Sequence, residues 1–336
     1  MNKISRKLTL ADIGELAGVS RATVSRVINN YPHITPEVRE RVQKVIRETG
    51  YQPNKIAQSL ASKRTGLIGL VIPHVANTIM TNPYFLHLIN GITKATNQND
   101  LTLSLFLFHS IDEEERIVQS LFSTNMVDGV IVTADRKEDS FLHQILRHDV
   151  PLVFIGRPEP GIQIPYVNVD NVAGGYMATK HLIERGCQRV AIIMCDDNTA
   201  GEDRFAGFRQ ALADYDLPFD DALIAEGNFS QESGYKAMQR LMPHAPDGVF
   251  AISDVMAVGA QQALRHAGMN TSDGVVIVGF DDLPQATNAD PPLTTIRQPI
   301  DKLGAVAVEM LQQAFDEQSN APQTHILPVE LIIRQT

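Results

Sequence analysis

Between Leu10 and Asn29 the chain reads Leu10-Ala11-Asp12-Ile13-Gly14-Glu15-Leu16-Ala17-Gly18-Val19-Ser20-Arg21-Ala22-Thr23-Val24-Ser25-Arg26-Val27-Ile28-Asn29. Small residues stand where two helices would cross, Gly18 supplies a turn, and hydrogen-bonding side chains begin immediately after it. Such side chains make and break no covalent bond. Their chemistry is donation and acceptance against base edges, with backbone N–H groups at a helix start meeting phosphate. The rival use of the same spacing is a helical hairpin for protein contacts, which the local positive charge disfavours. No nucleophile motif, metal-ligating cluster or phosphate loop stands elsewhere in the sequence, so no catalytic residue, metal or cofactor is expected.

Three short helices must hold that unit. Thr9 is placed to cap the first, with Asp12 in the reciprocal position, and Ser20 to cap the second. Thr35-Pro36-Glu37 opens a third, in which Val38, Val42, Val45, Ile46 and Thr49 fall on one stripe before Gly50 ends it. Over its 336 residues the chain has a net charge of -10, but that charge is divided. Residues 1–65 hold 12 Lys and Arg against 5 Asp and Glu, and the remainder holds 17 against 34. A polyanion would therefore be drawn to the cationic head, through counterion release, and repelled by the body. The two cysteines, Cys187 and Cys195, read as buried thiols in a reducing compartment. Neither an apolar leader nor a run long enough to span a membrane is seen, so a cytoplasmic location is expected.

From Leu67 the pattern changes to short apolar runs alternating with amphipathic stretches. Leu67 to Pro73, Leu101 to Leu107, Gly129 to Val132 and Leu152 to Ile155 read as strands, with helices near 84–98, 111–124 and 140–148. Continuous apolar strands between helices predict a parallel sheet covered on both faces. The rhythm restarts at Tyr166, with runs at Arg189 to Ile193, Ala222 to Glu226, Gly248 to Ile252 and Val275 to Phe280, so a second lobe of like build is expected. Asp128-Gly129-Val130 and Asp247-Gly248-Val249 are a small echo of duplication. Between head and body, Pro53 can start a helix barely two turns long, which is marginal in water.

The head, the junction Tyr51-Gln52-Pro53-Asn54 and the hinge Ala57-Gln58-Ser59-Leu60-Ala61 resemble the lactose-repressor and galactose-repressor (LacI/GalR) family. Resemblance continues through Leu67-Ile68-Gly69, Asn168-Val169-Asp170-Asn171, Arg204-Phe205-Ala206-Gly207-Phe208, Ser253-Asp254, Val278-Gly279-Phe280-Asp281-Asp282 and Pro292-Leu293-Thr294-Thr295-Ile296. It implies an α/β fold: a three-helix helix-turn-helix head plus a periplasmic-binding-protein-like sensor of two parallel lobes. The implied boundaries are 1–52 for the head, 53–65 for hinge helix and linker, and 66–336 for the sensor. Its first lobe would span about 66–165 and 296–322, its second about 166–295 and 323–336. A homodimer on a pseudo-palindromic double-stranded operator is also implied, associated with the nucleoid when bound. A tetramer is not expected, because Val329 to Arg334 is strand-like with no heptad tail behind it.

Carried over residue by residue, the DNA contacts fall on Ser20, Arg21, Ala22, Thr23, Ser25, Arg26, Asn29, Asn54, Ala57 and Leu60. Arg21 and Ala22 match the pair that selects operator sequence; Arg21 would take two acceptors of guanine or a plain phosphate. Leu60 matches a leucine wedged into the minor groove. For a small carbohydrate effector the resemblance points to Arg204 and Asp281, whose fork and carboxylate suit vicinal diols. Phe229 would stack on a sugar face, and Phe85, Thr133, Ser253 and Gln298 match other cleft positions, where simple core packing is the alternative. Gly156-Arg157-Pro158 departs from the family's frequent Asp-Arg and looks similar to maltose-type regulators, which makes an α-glucoside the first expectation. Two rivals remain. Asp254 and Asp281 could form a glycosidase pair, although Asp254 reads as a helix cap, and a stand-alone sugar-binding protein would give the cationic head no purpose.

Overall fold

Reciprocal hydrogen bonds start the first helix. Thr9 N–H donates to the Asp12 carboxylate at 2.7 Å and Asp12 N–H donates to Thr9 Oγ1 at 3.3 Å, capping α1 (Leu10–Ala17). Gly18 closes it in the left-handed region at φ 66°, and Ser20 then caps α2 (Arg21–Ile28), accepting from Thr23 N–H at 3.1 Å. The turn is tight: a Cβ added at Gly14 would lie 2.8 Å from Val19 O. Thr35 and Pro36 start α3 (Pro36–Thr49), which Gly50 ends at φ 63°. Ile13, Ala17, Val24, Val27 and Val42 form the buried core, with Val45 and Ile46 packed against it. The expected stripe thus faces inward.

The computed structural model describes residues 8–29, 31–52, 64–75, 79, 82–108, 110, 113, 116, 119, 121, 126–133, 140–196, 198–269, 274–316 and 323–336. Two compact units divide the chain, Met1–Thr65 and Gly66–Thr336. The expected hinge residues Asn54, Ala57 and Leu60, and most of the helix expected near 111–124, lie outside the described residues.

In the larger unit the chain runs through β1 (Leu67–Val75), α4 (Pro83–Gln98), β2 (Thr102–Phe108), β3 (Gly129–Thr133), α5 (Ser140–Ile145), β4 (Leu152–Ile155) and β5 (Tyr166–Val169). It continues through α6 (Asn171–Glu184), β6 (Val190–Met194), α7 (Thr199–Asp214), β7 (Ile224–Glu226), α8 (Gln231–Leu241), β8 (Gly248–Ala251), α9 (Asp254–His266) and β9 (Val276–Asp281). Last come α10 (Pro284–Asn288), β10 (Thr294–Arg297), α11 (Ile300–Asp316), β11 (Thr324–Leu327) and β12 (Glu330–Ile332). One sheet is parallel in the order β11-β5-β4-β3-β1-β2; the other runs β12-β10-β9-β8-β6-β7, with only β12 antiparallel. β3, β4, β6 and β8 are buried along their whole length, as their unbroken apolar runs require.

The expected lobe boundaries need correction. Tyr166 does not open the second lobe: Phe154 pairs with Tyr166 and Ile155 with Val167, so β5 belongs to the first sheet, and β11 pairs with β5 there as well. β10 stays in the second sheet through Arg297, beside Asp281. Leu303, Ala307, Val308 and Leu311 of α11 share a core with Ile68, Leu88 and Ile131 of the first lobe. The crossings therefore follow Val169, Arg297 and Leu327. Strand and helix alternate without a break across the first two crossings and strand follows strand at the third, so only the pairing partner reveals the change of sheet.

Gly14→Ala should force the α1–α2 turn open. Calorimetry is expected to show the head destabilised by about 1–3 kcal/mol with the transition of the larger unit unchanged.

Candidate functional site

On α2 the side chains divide by face. Val24 and Val27 are buried, Thr23 and Ser25 half-buried, and Ser20, Arg21, Ala22, Arg26 and Asn29 exposed. Ser20 Oγ is engaged by Thr23 N–H and lies 2.9 Å from Thr23 Oγ1, so it shapes the helix start. Asn29 Nδ2 donates to Ser25 Oγ at 3.5 Å, and the Arg26 guanidinium lies 5.9 Å from the centre of the Tyr31 ring. Arg21 has no protein partner among the described residues. No acidic side chain stands in the first turn of α2, so its N-terminus is open to an anion.

The second cluster forms where strands of the larger unit end. α6 and α7 cross closely because a Cβ at Gly175 would lie 2.1 Å from Arg204 O and one at Gly207 2.0 Å from Val172 O. That crossing seats Arg204, 5 % exposed, beneath α6. Its Nε donates to Asn171 Oδ1 at 2.8 Å, its Nη1 donates to Ile252 O at 2.6 Å, and its guanidinium lies 3.5 Å from the centre of the Phe280 ring. Nη2 has no partner among the described residues. Asp281, the last residue of β9, lies 3.9 Å from Nη1 and accepts from Gln298 Nε2 at 2.5 Å.

Burial drives the electrostatics. It pushes Asp281 up to about 6, opposed by the charge of Arg204, the Gln298 hydrogen bond and the Asp254 backbone N–H. Burial also pushes Asp254 upward, reinforced by the charge of Asp281 and opposed by bonds from Thr295 Oγ1 at 2.5 Å and Leu283 N–H at 2.7 Å. Arg204 is drawn down by burial and held up by Asp281. Tyr84, on the first turn of α4, is pushed up by burial and then by the charge of Asp281, with Arg204 opposing. A first-lobe phenol therefore faces a second-lobe ion pair.

The expected residues fall unevenly around this pair. Gln298 joins it directly. Ser253 caps α9, accepting from Met256 N–H at 3.3 Å, so Ser253 and not Asp254 is the cap; Asp254 is the first helical residue. Thr133 ends β3 with its hydroxyl buried and without a hydrogen-bond partner among the described residues. Phe229, half-buried at φ 61°, packs on the second-lobe core beyond β7. Phe85 is buried with Val255 and Leu283 of the other lobe, and its neighbour Tyr84 is the one facing the charges. Sequence reasoning missed Tyr84, Asn171 and the partners of Arg157. Arg157 Nε donates to Asp203 Oδ2 at 2.9 Å, Nη2 donates to Asp203 Oδ1 at 2.8 Å, and Thr199 Oγ1 donates to Arg157 O at 2.8 Å, which joins the two lobes next to Arg204.

Residues 9–54 match the family described as bacterial regulatory proteins, lacI family, and residues 179–336 match a periplasmic binding protein-like domain. The chain is 34% identical over 336 residues to the HTH-type transcriptional regulator CelR of Thermobifida fusca, covering 98% of each. It is 36% identical to DegA of Bacillus subtilis (strain 168), again covering 98% of both. Among solved structures it is similar to a CelR-cellobiose complex, at 34% identity and a TM-score of 0.77, with 98% of this chain and 99% of that one covered. A lac repressor dimer bound to operator and an anti-inducer matches at 26% identity and a TM-score of 0.84, with the same coverage.

A carboxyl raised from 3.8 to about 6 makes the folded chain bind more protons than the unfolded one between those values. Stability from this group is thus fully present below the lower value and is lost as pH rises through the upper one. Asp281→Asn removes the linkage while Arg204, Asp254 and Tyr84 stay in place. Denaturant titrations from pH 4 to 7 should show the variant gaining on the original by on the order of 1–3 kcal/mol as pH rises.

Proposed function

This chain belongs to the lacI family of bacterial regulatory proteins and is a DNA-binding transcriptional regulator, and we propose that it represses genes of carbohydrate metabolism or transport under control of a small neutral sugar. The observation that carries the sugar site is the buried Arg204–Asp281 pair, in which Nη2 of a guanidinium fixed at Nε and Nη1 is left to a ligand. A planar donor beside a carboxylate matches adjacent hydroxyls. Phe229 would lie on the apolar sugar face, with Thr133, Ser253, Gln298 and Phe85 around it. An α-glucoside such as maltose is the first candidate, and the cellobiose bound by a 34% identical relative makes a β-linked disaccharide the second. A hydrolase using Asp254 and Asp281 is disfavoured, because both oxygens of Asp254 accept bonds that hold the protein together.

On the DNA side the proposal gives Arg21 and Ala22 the choice of operator sequence, with Ser20, Thr23, Ser25, Arg26 and Asn29 placing α2 in the major groove. A homodimer on a pseudo-palindromic operator is proposed, in keeping with the operator-bound lac repressor dimer. The roles proposed for Asn54, Ala57 and Leu60 rest on the resemblance of the hinge alone.

Thermal shift against a panel of mono- and disaccharides, maltose and cellobiose included, should find one that raises the melting temperature. Arg204→Ala should weaken that sugar by about 1–3 kcal/mol in calorimetry while operator affinity without sugar stays unchanged. A normal sugar response in this variant would refute the site. Arg21→Ala should relax base preference at one symmetric operator position by about 1–3 kcal/mol; equal weakening on every sequence would instead mark a phosphate contact.

A further inference from the structure

The turn that delivers Asp281 is held in a conformation its own residues disfavour. Asp281 has φ 119° and Asp282 φ 58°. Consecutive non-glycine residues in this region persist only where their surroundings impose it. Each of the three residues at this turn has its own anchor. Gln298 donates to the Asp281 carboxylate, and Leu283 N–H donates to Asp254. Asp282 is gripped by two arginines: Arg297 Nε donates to Oδ2 at 2.7 Å, and Arg334 Nη2 donates to Oδ1.

The two arginines are not equivalent. Arg297 is half exposed and also reaches Glu330 Oε2 at 3.4 Å, so solvent and a second carboxylate compete for it. The Arg334 side chain is 17% exposed, and its environment fixes it in place. Its Nη1 donates to Leu293 O at 2.9 Å and its backbone N–H donates to Thr294 Oγ1 at 3.1 Å. Thr294 Oγ1 donates in turn to Thr336 O at 2.7 Å, and Thr336 Oγ1 donates to Ile277 O on β9 at 2.7 Å. The segment after β12 is thereby locked to the strand that ends in Asp281.

We infer that Arg334 is a positioning residue for the effector: by holding Asp282 it fixes the left-handed turn that sets the Asp281 carboxylate beside Arg204. The inference rests on the reading of Arg204 and Asp281 as the effector site. Arg334 has no bond to either residue, so its influence runs through the backbone of Asp282. A fixed carboxylate forms sugar hydrogen bonds without first losing conformational freedom, whereas a loosened one must be ordered at each binding event.

The test uses the full chain with Arg334→Ala, Arg334→Lys, Asp282→Gly and the double variant Asp282→Gly with Arg334→Ala. Two quantities are read: the titration midpoint of the Asp281 carboxyl by carbon NMR, assigned with Asp281→Asn, and the affinities for maltose and cellobiose by calorimetry. Arg334→Ala is expected to shift the midpoint from that measured in the original chain and to weaken the bound sugar roughly tenfold, with operator affinity unchanged. Arg334→Lys should restore part of both. Glycine adopts the turn unaided, so in the Asp282→Gly background the loss of Arg334 should add little. An unmoved midpoint in Arg334→Ala, or an equal loss in the Asp282→Gly background, overturns the inference. Should Arg334→Ala fail to fold, Arg334→Gln removes the same ion pair with little change of shape and leaves the Arg297–Asp282 pair in place, and the same two readouts decide. The NMR midpoint needs no sugar, so it judges the positioning role even if Asp281→Ala binds sugar normally, a result that would overturn only the effector-site reading.

Discussion

Burying the guanidinium of Arg204 is the constraint around which the larger unit is arranged. A cation withdrawn from water is costly unless its protons find acceptors and its charge a counterion. Here Asn171 and Ile252 supply acceptors, Phe280 a ring face and Asp281 the counterion. These partners come from the start of α6, the end of β8 and the end of β9, and the cation from α7. They converge because parallel strands deliver their C-terminal ends to one edge of the sheet, and because glycines let α6 and α7 approach closely. Loss of any one partner would leave a buried charge short of its complement, so the fold and the site depend on the same contacts.

That constellation also lies where the lobes meet. Asp203 and Arg204 are neighbours on α7; one holds Arg157 of the first lobe and the other faces Tyr84 of the first lobe. Val255 and Leu283 of the second lobe enter the core that Phe85 occupies in the first. A ligand bound at Arg204, as proposed, would act on residues that already set how one lobe rests on the other. A coupling of this kind needs no long pathway, since a change at the pair is itself a change at the lobe contact.

The parts of this arrangement that follow from local chemistry were legible in the sequence. The caps at Thr9 and Ser20, the Gly18 turn and the α3 stripe need only neighbours a few residues away, and the four strands buried along their whole length declare themselves by unbroken apolar runs. The sheet to which β5 belongs was not legible, because that choice depends on pairing with β4 and with β11, whose residues are far along the chain. Tyr84 was hidden beside Phe85: two adjacent aromatics at a helix start give no sign of which one enters the core. Ser253 and Asp254 posed the same problem for the cap. The grip of Arg334 on Asp282 spans 52 positions, and an isolated arginine after a strand carries no sequence mark of its partner.

The two sites also use arginine in opposite ways, and the environment of each side chain accounts for the difference. Arg21 and Arg26 are exposed on a head whose charge is positive, where a long mobile cation can meet a polyanion by displacing its counterions. Attraction of that kind is long-ranged, weakened by salt and tolerant of small misplacement. Arg204 is enclosed in a body whose charge is negative, and Asp281 balances it before any ligand arrives. A neutral polyol gains from such a pair only through directed hydrogen bonds, which demand that the donors be fixed in advance. The net negative charge of the body disfavours phosphate there, and under the proposed reading the caged cation would favour ligands that carry hydroxyls and no charge.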